Sequence, residues 1–337
     1  MVEQTARAQS IVSLSAALSV NVGLQRDGNR SPALARRRNQ AVIPLWDGST
    51  NIRGRPNTNY YYTKNNFLFP PETQKSLMVP QIEIFDQAAV KRHRCRAAMR
   101  IARLDEVLDT LAERVLVRLD DTNRQFRFAL DFGGRGAVAK FLATRGIAVV
   151  SSDITAAMAR RADGLSVVMD VEKLPFAEQK FDLIVAHLAL HWTNDLPGAL
   201  IQLRRALRPG GLFLASIPVA GTLGNLRAAL LDAELELSGR AAPRIALFPD
   251  LLDCAGLLQR ADFTLPVAEL DIIEFEYGDP SALLADLRDA GETNAMINRS
   301  RTIPPRSMFP LALAKLSSSN ERCKIVLRIA ILTGWAP

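Results

Sequence analysis

From Phe128 onward, short apolar runs are interleaved with stretches whose apolar residues recur every three to four positions. The runs at 128–132 and 147–152 are followed by helical spacing to about Thr144 and to Ala162. Those at 166–169, 181–186 and 212–217 enclose a helix from about Leu196 to Leu207. Strands alternating with helices predict a parallel sheet covered on both faces. Past Thr222 the pattern predicts a long amphipathic helix, a second helix over Leu251 to Arg260, and strands near 267–277 and 325–333 that finish the sheet. Upstream, Ile84-Phe85-Asp86 leads into a basic amphipathic stretch, 87–119, read as one or two helices. Residues 1–80 are rich in Asn, Ser, Gly, Pro and Arg with poor periodicity, and read as a low-order, disordered N-terminal extension.

Composition narrows the class. The 337 residues contain no apolar run near the roughly 18 that a bilayer span needs. Cys95, Cys254 and Cys323 lie far apart, which argues against a disulfide framework or a thiolate zinc site and for a reducing compartment. The net charge of +7 looks at first like a nucleic-acid signal. Ten basic residues against four acids in the first 80 account for nearly all of it. The body is close to neutral, so no nucleic-acid partner is expected. The apolar run from Ile11 to Leu24 is a poor secretory signal beside Glu3, whereas the arginine excess is compatible with a mitochondrial presequence.

In an open α/β sheet, ligands sit at the carboxyl ends of the strands. There stands Asp131-Phe132-Gly133-Gly134-Arg135-Gly136, whose glycines permit φ above zero and close approach of the backbone to a ligand. Asp153, twenty residues after Gly133 at the end of the next strand, can accept bonds from both hydroxyls of a ribose. It can equally N-cap the helix that follows. A dinucleotide-dependent dehydrogenase shares these two features.

Further along come Asp170-Val171-Glu172-Lys173-Leu174-Pro175-Phe176, the apolar strand Phe181-Asp182-Leu183-Ile184-Val185-Ala186, and Leu207-Arg208-Pro209-Gly210-Gly211, read as a tight turn into a fifth strand. A dehydrogenase gives no reason for the Leu-Pro-Phe and Arg-Pro-Gly-Gly elements. In this order the set resembles the class I S-adenosylmethionine-dependent methyltransferases of the type 11 domain group. The stretch from His187 to Pro197, that from Asp286 to Asn294, and the ending Leu332 to Pro337 are similar to bacterial relatives of the mitochondrial complex I assembly factor 5, and to the methyltransferase of biotin synthesis.

The resemblance covers 81–337 and implies a Rossmann-like, seven-stranded, mostly parallel sheet preceded by N-terminal helices. Its cofactor-binding half would be about 126–218, and the half at about 219–337 would complete the sheet, with 222–260 as a lid. In that family the chain begins just before Ile-Phe-Asp, which makes Met78 a natural start. The resemblance also implies S-adenosyl-L-methionine as cofactor. Asp131, Gly133 and Gly136 would border its methionine end, Asp153 its ribose, Asp170 and Val171 its adenine, and His187 its sulfonium. His191, with Trp192 on the acceptor-side wall, is the one nominated base. His187 and His191 straddle a strand-to-helix loop, so no metal site is expected. The acceptor would be a protein or carrier-bound group, with a respiratory complex I subunit among the candidates. The setting would be cytoplasmic in a bacterium or the mitochondrial matrix in a eukaryote. The alternative is a non-catalytic or hydroxylase-like assembly factor that uses the fold as a protein-binding module.

The glycine loop departs from the family pattern. It is one residue short and carries Arg135 where small residues crowd the cofactor. A guanidinium about 4–5 Å from a sulfonium would repel it by roughly 3–4 kcal/mol at an effective dielectric of 20. Either the side chain turns away or it pairs with the methionine carboxylate. Tyr277, Glu292 and Asn294 are within the half that could reach the acceptor, but each reads first as an ordinary surface position.

Overall fold

The computed structural model describes residues 83–337 other than 134, 171 and 318–321. The expected extension at 1–80, the Met78 start and Val171 therefore lie outside the described residues.

A helix α1 (Gln87–Ala97) opens the described chain, capped by Asp86, whose side chain accepts from the Ala89 N–H at 2.9 Å. A second helix α2 (Asp105–Leu116) starts with two acids in its first turn and ends with Arg114, matching both ends of its dipole. The α/β unit then runs β1 (Phe128–Phe132), α3 (Ala137–Thr144), β2 (Ala148–Asp153), the one-turn α4 (Ala156–Ala159), β3 (Leu165–Val168), β4 (Phe181–His187), α5 (Leu196–Ala206) and β5 (Leu207–Pro218). It finishes with α6 (Gly224–Ser238), α7 (Leu251–Arg260), β6 (Thr264–Tyr277), α8 (Pro280–Asp289), α9 (Met308–Leu316) and β7 (Cys323–Trp335).

The seven strands form one sheet in the order β3-β2-β1-β4-β5-β7-β6, parallel except for β7, which runs antiparallel to both its neighbours. The Rossmann-like sheet expected from the sequence is present. Its two faces follow from the period of two in a strand. On β4, Leu183 and Val185 pack with Val138, Leu142 and Leu116 on one side. Ile184 and Ala186 pack with Leu200, Leu203 and Leu258 on the other. The order in which strands are added reverses between the parallel strands β1 and β4, so the cleft that binds ligands in such folds opens at their carboxyl ends.

Three expectations are corrected. The helix expected up to Ala162 is a single turn, and its N-cap is Thr155, which accepts from the Met158 N–H; Asp153 instead accepts from the Thr155 N–H and hydroxyl. The Arg-Pro-Gly-Gly segment is not a turn ahead of a strand but lies inside β5. There the register with β4 jumps from Phe181–Leu207 to Leu183–Leu212, and Gly210 takes φ 69°. Finally, no residue of 222–260 lines the cleft, although Ala246 packs with Phe85, Val90 and Trp192 behind its roof. The segment's α6 packs through Leu226, Leu230 and Ala233 against Met308 and Ala312 of α9, and the cleft is covered by α1.

Candidate active site

A cleft lies at the carboxyl ends of β1, β2 and β4, between those strand ends and α1. Its floor is Phe132 and Gly133 at the end of β1, and Ser152, Asp153 and Ile154 at the end of β2. Met169, Ala189 and Trp192 form the sides, and Gln87, Val90 and Arg94 of α1 form the roof.

The roof is tied down by Asn194. Its side-chain oxygen accepts from the N–H groups of Ile84 and Phe85, both at 2.8 Å, and its amide donates to the Phe85 carbonyl. Gln87 donates to the Trp192 carbonyl at 2.7 Å, and the Phe85 and Trp192 rings meet edge to face at 5.2 Å. The loop after β4 thereby fixes where α1 begins. Glu172 holds that loop in turn, accepting from the N–H groups of Asn194 and Asp195.

Gly133 meets the demand that the sequence suggested. It has φ 97°, and a Cβ there would stand 2.1 Å from the Ala189 Cβ, so no side chain fits between β1 and the loop after β4. Asp153 is buried, and its second oxygen lies 3.7 Å from the Arg94 guanidinium. With Trp192, these are the expected residues that line the cleft among the described residues.

The other described candidates do not line it. Asp131 is fully buried behind the glycine loop with neither carboxylate oxygen in a hydrogen bond, and burial, reinforced by the charge of Asp153, pushes its pKa up to about 8. Gly136 is the left-handed N-cap of α3 and faces Arg161. Asp170 accepts from the Glu172 N–H and turns onto its own loop. His187 is buried with Nδ1 2.9 Å from the Ser216 hydroxyl, and burial, aided by Arg135, pushes its pKa down to about 3, so it is a neutral imidazole.

His191 and Trp192 both reach Glu292, through Nε2 at 2.6 Å and Nε1 at 2.8 Å to the same carboxylate oxygen. Arg135 takes the other oxygen and donates to the Leu188 carbonyl at 3.0 Å. Burial pushes the Arg135 pKa down to about 10. Burial works against ionisation of Glu292 too, yet His191 and Arg135 together hold its carboxyl well below the usual range. Arg135 thus has φ 80° and both Nη groups taken by Leu188 and Glu292, with Nε buried and unpaired, so its side chain turns away, the first of the two outcomes expected of it. Glu292 is a structural hub rather than a surface residue, while Asn294 donates to the Pro243 carbonyl. Among the described residues no three His, Cys, Asp or Glu side chains are grouped to hold a metal ion, and no helix is long and apolar enough to cross a membrane.

Sequence reasoning missed Arg94 and Glu292. Arg94 carried a readable signal: it interrupts the stripe Ala89, Val90, Ala97 that α1 buries, where a cation has no place without a purpose. Glu292 carried none, since its three partners lie at least 100 positions away.

Residues 130–215 match the family described as "Methyltransferase domain". The chain is 31% identical over 268 residues to the "Arginine-hydroxylase NDUFAF5, mitochondrial" of Danio rerio, covering 76% of this chain and 84% of that protein. It is 33% identical to the Homo sapiens protein of the same name, covering 68% and 70%. A "Malonyl-[acyl-carrier protein] O-methyltransferase" of Xylella fastidiosa is 30% identical over 269 residues, covering 75% and 89%. Among solved structures, a Bacillus halodurans methyltransferase is similar at 15% identity, with a TM-score of 0.43 and coverage of 66% of this chain and 97% of that one.

Proposed function

Since the chain belongs to the class I S-adenosylmethionine-dependent methyltransferases, we propose that it transfers the methyl group of its cofactor to a protein or carrier-bound acceptor in the service of respiratory complex I assembly. The cofactor is S-adenosyl-L-methionine, which supplies a methyl group already activated as a sulfonium.

The observation that carries this reading is the cleft itself. Gly133 lacks a Cβ where one would collide, the Asp153 carboxylate stands at the β2 end, and the roof helix leaves a polar tip over both. These residues fit the cofactor: Asp153 for the ribose, Ile154 and Met169 for the apolar face of the base, Gly133 for the amino-acid arm. Methyl transfer then asks the protein for alignment and exclusion of water, which α1 and Trp192 provide. His187, neutral and without positive charge, adds no repulsion toward a sulfonium. The charge of Arg135 is answered by Glu292, which removes the conflict that the short loop raised. His191 remains the nominated proton acceptor, with Glu292 orienting its ring through Nε2.

The acceptor follows from the relatives' names, of which one acts on malonyl carried by acyl carrier protein. A second reading, an assembly factor that hydroxylates or grips an arginine-bearing partner, is supported by the name of the two vertebrate relatives. Matrix or bacterial cytoplasm would be its place.

Calorimetry of the full chain with S-adenosylmethionine, wild type beside Asp153→Ala, followed by transfer of labelled methyl to malonyl-acyl carrier protein and to complex I subunits, tests the proposal. Binding lost in the variant and label on either acceptor are expected. Binding without transfer to either favours the assembly-factor reading, and no binding by the folded protein overturns the cofactor site.

A further inference from the structure

Among the described residues Arg94 is the one cation on the wall of the cleft, and its bonding is incomplete. It projects from the buried face of α1, and its residue is only 5% exposed. Its Nη2 makes a long hydrogen bond of 3.4 Å to the Gly133 carbonyl and stands 3.7 Å from Asp153, within ion-pair range but beyond a hydrogen bond. Its Nη1 is buried and has no partner at all. A guanidinium has five donors, and buried charges in folded proteins are paired and hydrogen-bonded. The neighbouring Arg135 does not line the cleft, and both its Nη groups are taken by Glu292 and Leu188, which leaves only its Nε unpaired.

We propose that Arg94 is the residue that reads the carboxylate of the cofactor's amino-acid arm, through its unpaired Nη1 edge. This rests on the functional reading above. The placement argues for it: Arg94 spans the Gly133 carbonyl and the Asp153 carboxylate, so a ligand with its ribose on Asp153 and its chain passing Gly133 carries its far anion beneath the guanidinium. A planar fork of donors matches a carboxylate, and the match is charge-assisted. The local charge also permits it. Asp131, raised to about 8, is largely protonated at neutral pH, leaving Asp153 and Arg94 to balance each other before the ligand's own anion arrives. The competing role for Arg94 is that of a latch, holding α1 to Asp153 and giving way on binding.

The test uses the full chain and two ligands that differ in one group, S-adenosylhomocysteine and its decarboxylated analogue, titrated calorimetrically into wild type, Arg94→Met and Arg94→Lys. Wild type is expected to favour the carboxylate-bearing ligand by about 10- to 100-fold, the range that charge-assisted hydrogen bonds supply. Arg94→Met should erase that preference while leaving the decarboxylated analogue's affinity within about twofold, and Arg94→Lys, which keeps the charge without the fork, should restore part of it. An undiminished preference in Arg94→Met overturns the proposal, and so does an equal change for both ligands, which is the signature of a latch. Should Arg94→Met fail to fold, the lysine variant decides by the same ratio. Binding of neither ligand by the folded wild type defeats the functional reading itself, whereas equal binding of both leaves the nucleoside site standing and defeats only the role of Arg94.

Discussion

The Arg135 guanidinium and the Glu292 carboxylate meet across 157 positions of chain, pinning the glycine loop after β1 to the turn that follows α8. The Arg135 side chain is 1% exposed and that of Glu292 21%. Their pairing therefore lies between a buried bridge and a surface one. Glu292→Gln would leave a buried cation with a carbonyl and a neutral amide. The expected cost is about 2–3 kcal/mol, below the roughly 3–5 kcal/mol of a fully buried pair because water reaches one partner. Urea unfolding measures it. Replacing both residues, Arg135→Met with Glu292→Gln, should recover most of the loss, and a double variant as unstable as the sum of the singles would show that the two are not coupled.

Asp131 sets a pH dependence whose sign is fixed by its burial. Its pKa rises from 3.8 to about 8 on folding, so between those values the folded chain binds a proton that the unfolded chain releases. Its contribution to stability therefore falls as pH rises through that window. Asp131→Asn, which mimics the protonated form, should flatten the decline. Between about pH 5 and about pH 8 the variant's advantage in denaturation midpoint should widen steadily, levelling off above that, and it should vanish only below about pH 3.8. Parallel profiles would mean that Asp131 is ionised in the fold.

Gly133→Ala places a Cβ 2.1 Å from that of Ala189 at φ 97°. Overpacking and the left-handed backbone together should cost about 2–4 kcal/mol. Adding Ala189→Gly removes the collision and leaves the backbone strain, so thermal melts should show about half the loss restored. Full restoration would assign the whole cost to the collision.

Asp86 caps α1 and holds Arg299 at 2.7 Å, and both contacts keep its pKa low. Asp86→Ala should cost about 1–2 kcal/mol. Because α1 carries Gln87, Val90 and Arg94 over the cleft, the variant should also weaken S-adenosylhomocysteine binding. The wild-type advantage in stability should be present above the unfolded carboxylate's pKa and vanish as pH falls through the lower folded value. Loss of stability with unchanged affinity would separate the helix cap from the roof.

The strands and most helices were legible because their signals are local. β4 alternates between two apolar faces, Asp86 and Asp195 cap α1 and α5 from one residue outside them, and a glycine after β1 announces close backbone approach. Asp279 and Pro280 announced α8 in the same way and were passed over, while the short apolar α9 offers little beyond composition. The β5 register jump was not legible, since a Pro-Gly-Gly segment reads alike as a turn or as a bulge until its neighbouring strand is placed.

By itself the sequence determined the alternation of β and α, the position of the cleft at the strand ends, and Gly133 and Asp153 within it, because backbone conformation and burial period depend on neighbours along the chain. Only the tertiary structure decided that Arg135 answers Glu292, that His191 and Trp192 converge on the same carboxylate, that α1 rather than 222–260 forms the roof, and that Arg94 hangs over Asp153. Those pairings join side chains from distant elements, and the partner of a buried charge is set by which elements the packed core brings together.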